Sequence, residues 1–307
     1  MAEANVSPKQ AVIHLMKGVV PERRDEIDAF WSKYAPAVVL VEDARGIALA
    51  ADKDHIEFNP KTMSVFWMIA FAGWRAIECY SPSVILAFQT GQTVADVLNK
   101  DAQLCDVERD YKERRAAAQT LIETGDAASA PWPPDLPRPG SDREGLPNDQ
   151  CKVAFDLSCI AAAFTFFHEF HHVMLDCDGN RPPDRRVEEM ACDVWARQFM
   201  TAKLESYANA KNLDFHEVLR LRSMGLAVAA LILHEITPLL HHGGNCEYFA
   251  IVHRLRTLLD NTPLPAVDPF WIFVASLLIG IFRQKAVEIN APTMAPADLA
   301  RHLLDRL

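Results

Sequence analysis

Residues 168–172 read His168-Glu169-Phe170-His171-His172, a HExxH pentapeptide set inside a long apolar stretch. Thr165-Phe166-Phe167 precede it and Val173-Met174 follow it, with neither proline nor charge. The spacing predicts a buried helix over 154–177, closed by Gly179 and Asn180. On a helix, positions i and i+4 share one face, so His168 and His172 can hold a single Zn²⁺. Glu169 projects one residue further round, where it can reach a water in the metal's open position and act as general base. His171 is turned about 100° from His172 and reads as a neighbour, not a ligand.

The pentapeptide also arises by chance, and a core helix can carry histidines that merely hydrogen-bond. A third ligand at a workable distance separates these readings. Downstream stands Val187-Glu188-Glu189-Met190-Ala191-Cys192-Asp193. Glu189 and Asp193 are i and i+4, which puts a ligand carboxylate and a second carboxylate on one helical face. Zinc sites use such outer carboxylates to orient their histidines through the free ring N–H. Glu188 is the rival third ligand, but its i+4 partner is Cys192, so Glu189 is preferred. Cys177 and Cys192 offer a closed His₂Cys₂ site instead; Cys177 falls off the ligand face, and such a site leaves Glu169 without work.

These residues resemble the gluzincin metallopeptidases, in which HExxH is followed by a Glu-x-x-x-Asp helix. His168, Glu169, His172, Glu189 and Asp193 match that pattern. The resemblance implies a zincin-like core, two His ligands, a Glu ligand, a catalytic Glu and an Asp that fixes a ligand histidine. The length, the mid-chain motif and the lack of export signals further resemble the Lit-type phage-exclusion peptidases. That implies a cytoplasmic zinc protease cleaving an intracellular protein, with a role in phage defence. Two positions depart from the pattern: His171 stands where an uncharged residue is usual, and Cys192 where Ala is common.

The 307 residues, half of them apolar, suffice for one large domain or two small ones. Acidic residues outnumber basic ones by 41 to 31, and the net charge of −10 argues against nucleic acid as a main partner. The 7 cysteines are scattered and lack a CxxC pair, which reads as reduced thiols in a cytoplasmic protein. Residues 1–10 show no basic segment leading into an apolar one, so no signal peptide is expected. The apolar runs 269–282, 224–233 and 63–74 fall short of the roughly 18–20 residues of a spanning helix, so no membrane span is expected.

Residues 12–20 and 23–34 read as short helices. The runs 37–41, 46–50 and 55–58 are β-branched or alternating, and predict a small antiparallel sheet. Asn59-Pro60 starts a helix of about 20 residues that Ser81-Pro82 closes. Residues 93–124 form one long, charge-paired helical pattern. In 125–150, Pro131, Pro133, Pro134, Pro137, Pro139 and Pro147 forbid helix, leaving a linker or a lid. Beyond the metal helix come a helix capped by Asp184, another capped by Asp214 and running to about 236, and helices over 245–259, 269–285 and 297–307. The balance is α+β and predominantly helical. It divides into an N-terminal sheet-and-helix part (1–124), the Pro-rich segment (125–150) and a helical zinc-binding part (151–307), read as one integrated domain.

Amide hydrolysis needs a donor for the developing oxyanion. His241-His242-Gly243-Gly244, Tyr248, His253, Arg254 and Arg256 cluster downstream. His242, Tyr248 and Arg254 are the candidate catalytic contributors, against a default of surface histidine and helix-surface arginine. His234-Glu235 mimics a second motif start, but Pro238 stands where the second His belongs, and a buried Glu235 then needs a partner. The strand 55–58 is expected either to pair with substrate backbone as an edge strand or to serve as a structural hairpin strand. Together these point to a zinc-dependent endopeptidase with a protein or peptide substrate, leaving open an activating protein partner. The alternatives are a catalytically silent zinc-binding regulatory or interaction protein, and a membrane-associated protease.

Overall fold

A computed structural model describes residues 7–307 except 103, 126, 141 and 261. Residues 1–6, part of the segment read for export signals, lie outside the described residues. Ser7 and Gln10 form a capping box that opens α1 (Pro8–Val19), and Pro21 leads through a 3₁₀ turn into α2 (Arg24–Lys33). Then come β1 (Ala37–Leu40), β2 (Leu49–Ala51) and β3 (His55–Phe58).

The sheet is mixed, not antiparallel. Its order is β1-β3-β2, with β3 antiparallel to β2 and parallel to β1. Asp52 Oδ1 accepts from the backbone N–H of Asp54 and of His55, which tightens the β2–β3 hairpin. Residues 41–54 as a whole supply the crossover that a parallel pair requires. β3 therefore has both edges occupied and cannot add a substrate strand; of the two readings of 55–58, it is the structural hairpin strand. Its buried Ile56 and Phe58 face the core, where Phe58 meets Phe166 edge-on at 5.3 Å.

Asn59 caps and Pro60 begins α3 (Pro60–Thr90), which continues through Ser81-Pro82 to Gly91 at φ 69°. The Ser81 hydroxyl donates to the Ile77 carbonyl, and Ser83, Val84 and Ala87 are buried beyond the proline. That packing outweighs the missing Pro82 N–H. The pattern over 93–124 splits into α4 (Val94–Lys100) and α5 (Leu104–Glu123), with Asp101 extended at the break. The Pro-rich segment clasps α3 and α5. Trp67 Nε1 donates to the Pro137 carbonyl at 2.7 Å, Arg114 pairs with Asp135 at 2.6 Å, and Leu136 and Leu146 are buried. None of its described residues lines the cleft described below.

The remaining helices are α6 (Asp149–Cys177), α7 (Arg185–Thr201), α8 (Leu204–Lys211), α9 (Phe215–Ile236), α10 (Ile251–Leu259), α11 (Pro269–Gln284) and α12 (Pro296–Leu304). The helix expected from 245 starts only at Ile251, because Asn245 Oδ1 accepts from the N–H groups of Glu247 and Tyr248 and turns the chain. The fold is α+β, mostly helical with one three-stranded sheet among the described residues.

α6 runs through the core, packed by α3, α7 and α9. Among the described residues it is the helix long and apolar enough to cross a membrane, yet 67% of that stretch is buried by the rest of the chain, as in a core helix. The charged residues of HExxH interrupt its apolar run, which is why run length alone passed over it. α9 lies close against it: a Cβ on Gly225 would fall 2.2 Å from Ile160 Cγ2. Gly225→Ala is expected to cost about 1–3 kcal/mol through overpacking. Chemical denaturation reads this as a lower midpoint; an unchanged midpoint would show that the contact relaxes freely.

Candidate active site

His168 and His172 sit one above the other on α6, both buried. Asp184 accepts from the Arg186 N–H and starts α7, whose buried face carries Glu188, Glu189, Cys192, Asp193 and Ala196. Burying three carboxylates on one face is costly unless each finds a partner. Each does. His168 Nε2 lies 3.2 Å from His172 Nε2 and 3.2 Å from Glu189 Oε2, and His172 Nε2 lies 3.5 Å from Glu189 Oε1. The far ring edges are held too, His168 Nδ1 by Asp193 at 2.9 Å and His172 Nδ1 by Glu188 at 2.6 Å. Around these, Arg254 of α10 grips Asp193 through two hydrogen bonds of 2.7 and 2.9 Å. Arg185 reaches Glu189 at 2.7 Å and Glu188 at 2.9 Å, and Arg181 reaches Glu188 at 2.8 Å.

Burial opposes charge on His168, but hydrogen bonds to Asp193 and Glu189 outweigh it and push the imidazole up to about 10. Burial also opposes charge on Glu189, yet the two histidines hold its carboxyl far below the usual range. Asp193 is lowered against its burial by Arg254 and His168. The field where the ring nitrogens converge thus favours positive charge, which a metal cation can supply with both imidazoles neutral. Glu169 behaves oppositely: it lines the cleft, and loss of water around its carboxyl raises its pKa. A raised carboxyl is the better proton acceptor near neutral pH.

Two donor sets could hold a metal. One is His168, His172 and Glu189. In the other Cys192 joins the two histidines, with ligand atoms within 4.8 Å of one another. Cys192 Sγ lies 3.4 Å from His172 Nδ1, the ring nitrogen that Glu188 already engages. Burial raises the Cys192 thiol far above its usual range, whereas a metal binds the thiolate. Cys177 takes no part: it is exposed, with its thiol toward the Lys53 carbonyl.

His168 and Glu189 border a cleft of about 470 Å³, lined also by Glu169, Arg185, Tyr248, Arg254 and, from β2, Leu49 and Ala50. Tyr248 enters from the loop before α10, its ring 5.7 Å from the Arg254 guanidinium. Arg254, expected as an oxyanion donor, is instead committed to Asp193. Arg254→Met takes the guanidinium from a buried carboxylate and leaves it only the His168 ring, and is expected to cost about 3–5 kcal/mol. Calorimetry would show this as a lowered melting point, and a wild-type value would contradict it. His242 is turned away from the cleft: Nε2 donates to the Thr237 carbonyl at 2.9 Å, and the ring lies edge-on to His234 at 4.7 Å. Its neighbour His241 lines the cleft in its place. His171 stacks on Trp195 at 4.7 Å, and Glu235 finds its partners in Arg115 and His234.

Sequence reasoning missed Arg185 and treated Glu188 only as a rival ligand. The signal for Arg185 was present, since it precedes Glu189 by one helical turn.

No curated protein and no solved structure matches this chain. The model of one family, Peptidase U49, matches residues 56–274, a span that starts within β3 and takes in the HExxH helix, all of α7 and Arg254. With a match over most of its length, the chain belongs to the Peptidase U49 family, and it is a peptidase, a hydrolase acting on peptide bonds.

Proposed function

We propose that the protein is a zinc-dependent endopeptidase of gluzincin type, with a zincin-like core, in which His168, His172 and Glu189 hold the metal. The observation that carries this reading is the convergence of three donor groups: the two Nε2 atoms stand 3.2 Å apart, and the Glu189 carboxylate brings Oε2 to 3.2 Å from the one and Oε1 to 3.5 Å from the other. Ligands at about 2.0–2.1 Å from a tetrahedral centre stand about 3.3–3.4 Å apart. A carboxylate on the far nitrogen of each histidine leaves Nε2 as the free lone pair, the tautomer a metal requires. When bound, zinc polarises a carbonyl and acidifies water.

The chain's own residues do the rest. Glu169, lifted by burial, accepts the proton from the attacking water and passes it to the leaving amine. Tyr248 donates its hydroxyl hydrogen bond to the carbonyl oxygen as that oxygen gains charge. Asp193 and Glu188 orient the ligand rings, and Arg254 and Arg185 hold those carboxylates in place. The outer edge of β2 is unpaired among the described strands, and Leu49 and Ala50 line the cleft. This edge, rather than that of β3, is where an extended substrate adds its backbone. The intracellular protein substrate, the cytoplasmic setting and the role in phage defence rest on the resemblance alone.

Tyr248→Phe tests the assignment of the donor. It is expected to lower kcat roughly 10²-fold with KM little changed. A matching rise in KM with kcat intact would make Tyr248 a substrate-binding residue instead.

A further inference from the structure

Leu239 and Leu240 are 75% and 78% exposed, and no other large apolar side chain among the described residues passes 56%. They are adjacent, and they stand at the mouth of the cleft: Thr237, Pro238 and His241, on either side of them, line it. The turn that presents them is fastened from several directions. His241 N–H donates to the Pro238 carbonyl at 2.8 Å, His242 N–H to that of Leu239 at 3.1 Å, and His242 Nε2 to that of Thr237 at 2.9 Å. Ile251 N–H reaches the His242 carbonyl at 2.9 Å and closes the loop onto α10. Gly244, at φ 90°, lies so close to the backbone of Ala250 that a Cβ would stand 2.8 Å from its nitrogen. Holding two leucines rigidly in water opposes the hydrophobic effect, and exposed apolar surface beside a binding site marks a contact surface. Because the pair is already ordered, a partner that covers it meets little further entropic cost.

We propose that Leu239 and Leu240 form a docking point for the polypeptide substrate, outside the residues that undergo cleavage. The occupant is the substrate because the pair continues the wall of the cleft: a chain lying in the cleft passes it on leaving. The site thereby favours segments of intact protein over short peptides, which end before they reach the turn. This rests on the cleft around Glu169 being the peptidase site.

The test compares the wild type, Glu169→Gln and the double variant Leu239→Ser/Leu240→Ser on two substrate pools. One is a native cell extract; the other is the same extract digested beforehand to short peptides. New N-termini that depend on Glu169 are quantified in each. The double variant is expected to lose on the order of tenfold on the native pool, as when buried apolar anchors are removed. On the peptide pool it is expected to stay within about twofold of wild type. Both leucines lie in solvent, so the melting point should not move. An equal fall on both pools, or no change on either, overturns the docking role. So does a double variant that keeps native cleavage while losing self-association in sedimentation or binding to anionic vesicles, because the occupant is then a second copy or a lipid surface. A wild type with no Glu169-dependent N-termini in either pool overturns the site reading itself, and this inference with it.

Discussion

Glu169→Gln is expected to lower peptide-bond cleavage by about 10²–10⁴-fold while leaving the metal content at its wild-type value and the melting point at or above it. The size follows from general base catalysis, which contributes that range when the base is well placed. The substitution keeps the shape of the side chain and removes only its capacity to take a proton. Glu169 is not among the three residues whose donor atoms converge, so metal binding does not depend on its charge. Wild-type burial raises its carboxyl, and that costs folding free energy at neutral pH. The amide therefore has no reason to destabilise the fold. The check combines proteomic counting of new N-termini with metal analysis of the same preparation. Cleavage within tenfold of wild type would remove Glu169 from the chemistry, whatever the metal content.

The second large effect concerns the metal itself. Glu189→Ala is expected to abolish stoichiometric zinc binding and activity together, because it removes one of the three proposed ligands. The loss should exceed the roughly 10–100-fold that follows from disturbing an outer partner. Glu188→Gln should fall within that smaller range, since Glu188 holds His172 Nδ1 at 2.6 Å. Cys192→Ser should retain one zinc per chain. The Cys192 alternative predicts the reverse order, with Cys192→Ser losing metal and Glu189→Ala keeping it. Metal analysis after dialysis at fixed pH separates the two orders, because ligand protonation competes with binding.

Much of this site was legible in the sequence because helices convert spacing into geometry. Two histidines four apart on an apolar helix, and Glu189 with Asp193 four apart on the next, need only one interhelical contact to converge. What the spacing withheld was which face of which neighbour each group would meet. Glu188 looked like a competitor of Glu189, yet the crossing of α6 and α7 puts the two on different edges of the same imidazole ring. Arg254 carried the charge expected of an oxyanion donor, but burial beside Asp193 commits it to a carboxylate. His242 belonged to an inviting His-Gly-Gly loop, and the turn chemistry of that loop aims its ring at Thr237 and His234.

The fold errors share a cause. Local signals at Pro82 and along 93–124 do not carry the packing that decides them: buried residues beyond Pro82 hold α3 together, and Asp101 is extended where α4 ends. Strand existence was plain from β-branched runs. Strand order was not, because a parallel β1–β3 pairing depends on how residues 41–54 cross the sheet.

The zinc K-edge absorption spectrum of the metal-loaded protein tests the central claim most directly. Two imidazoles and a carboxylate from α7 predict a first shell of nitrogen and oxygen only, at about 2.0–2.2 Å. A sulfur shell at about 2.3 Å would assign the third ligand to a cysteine and contradict the account.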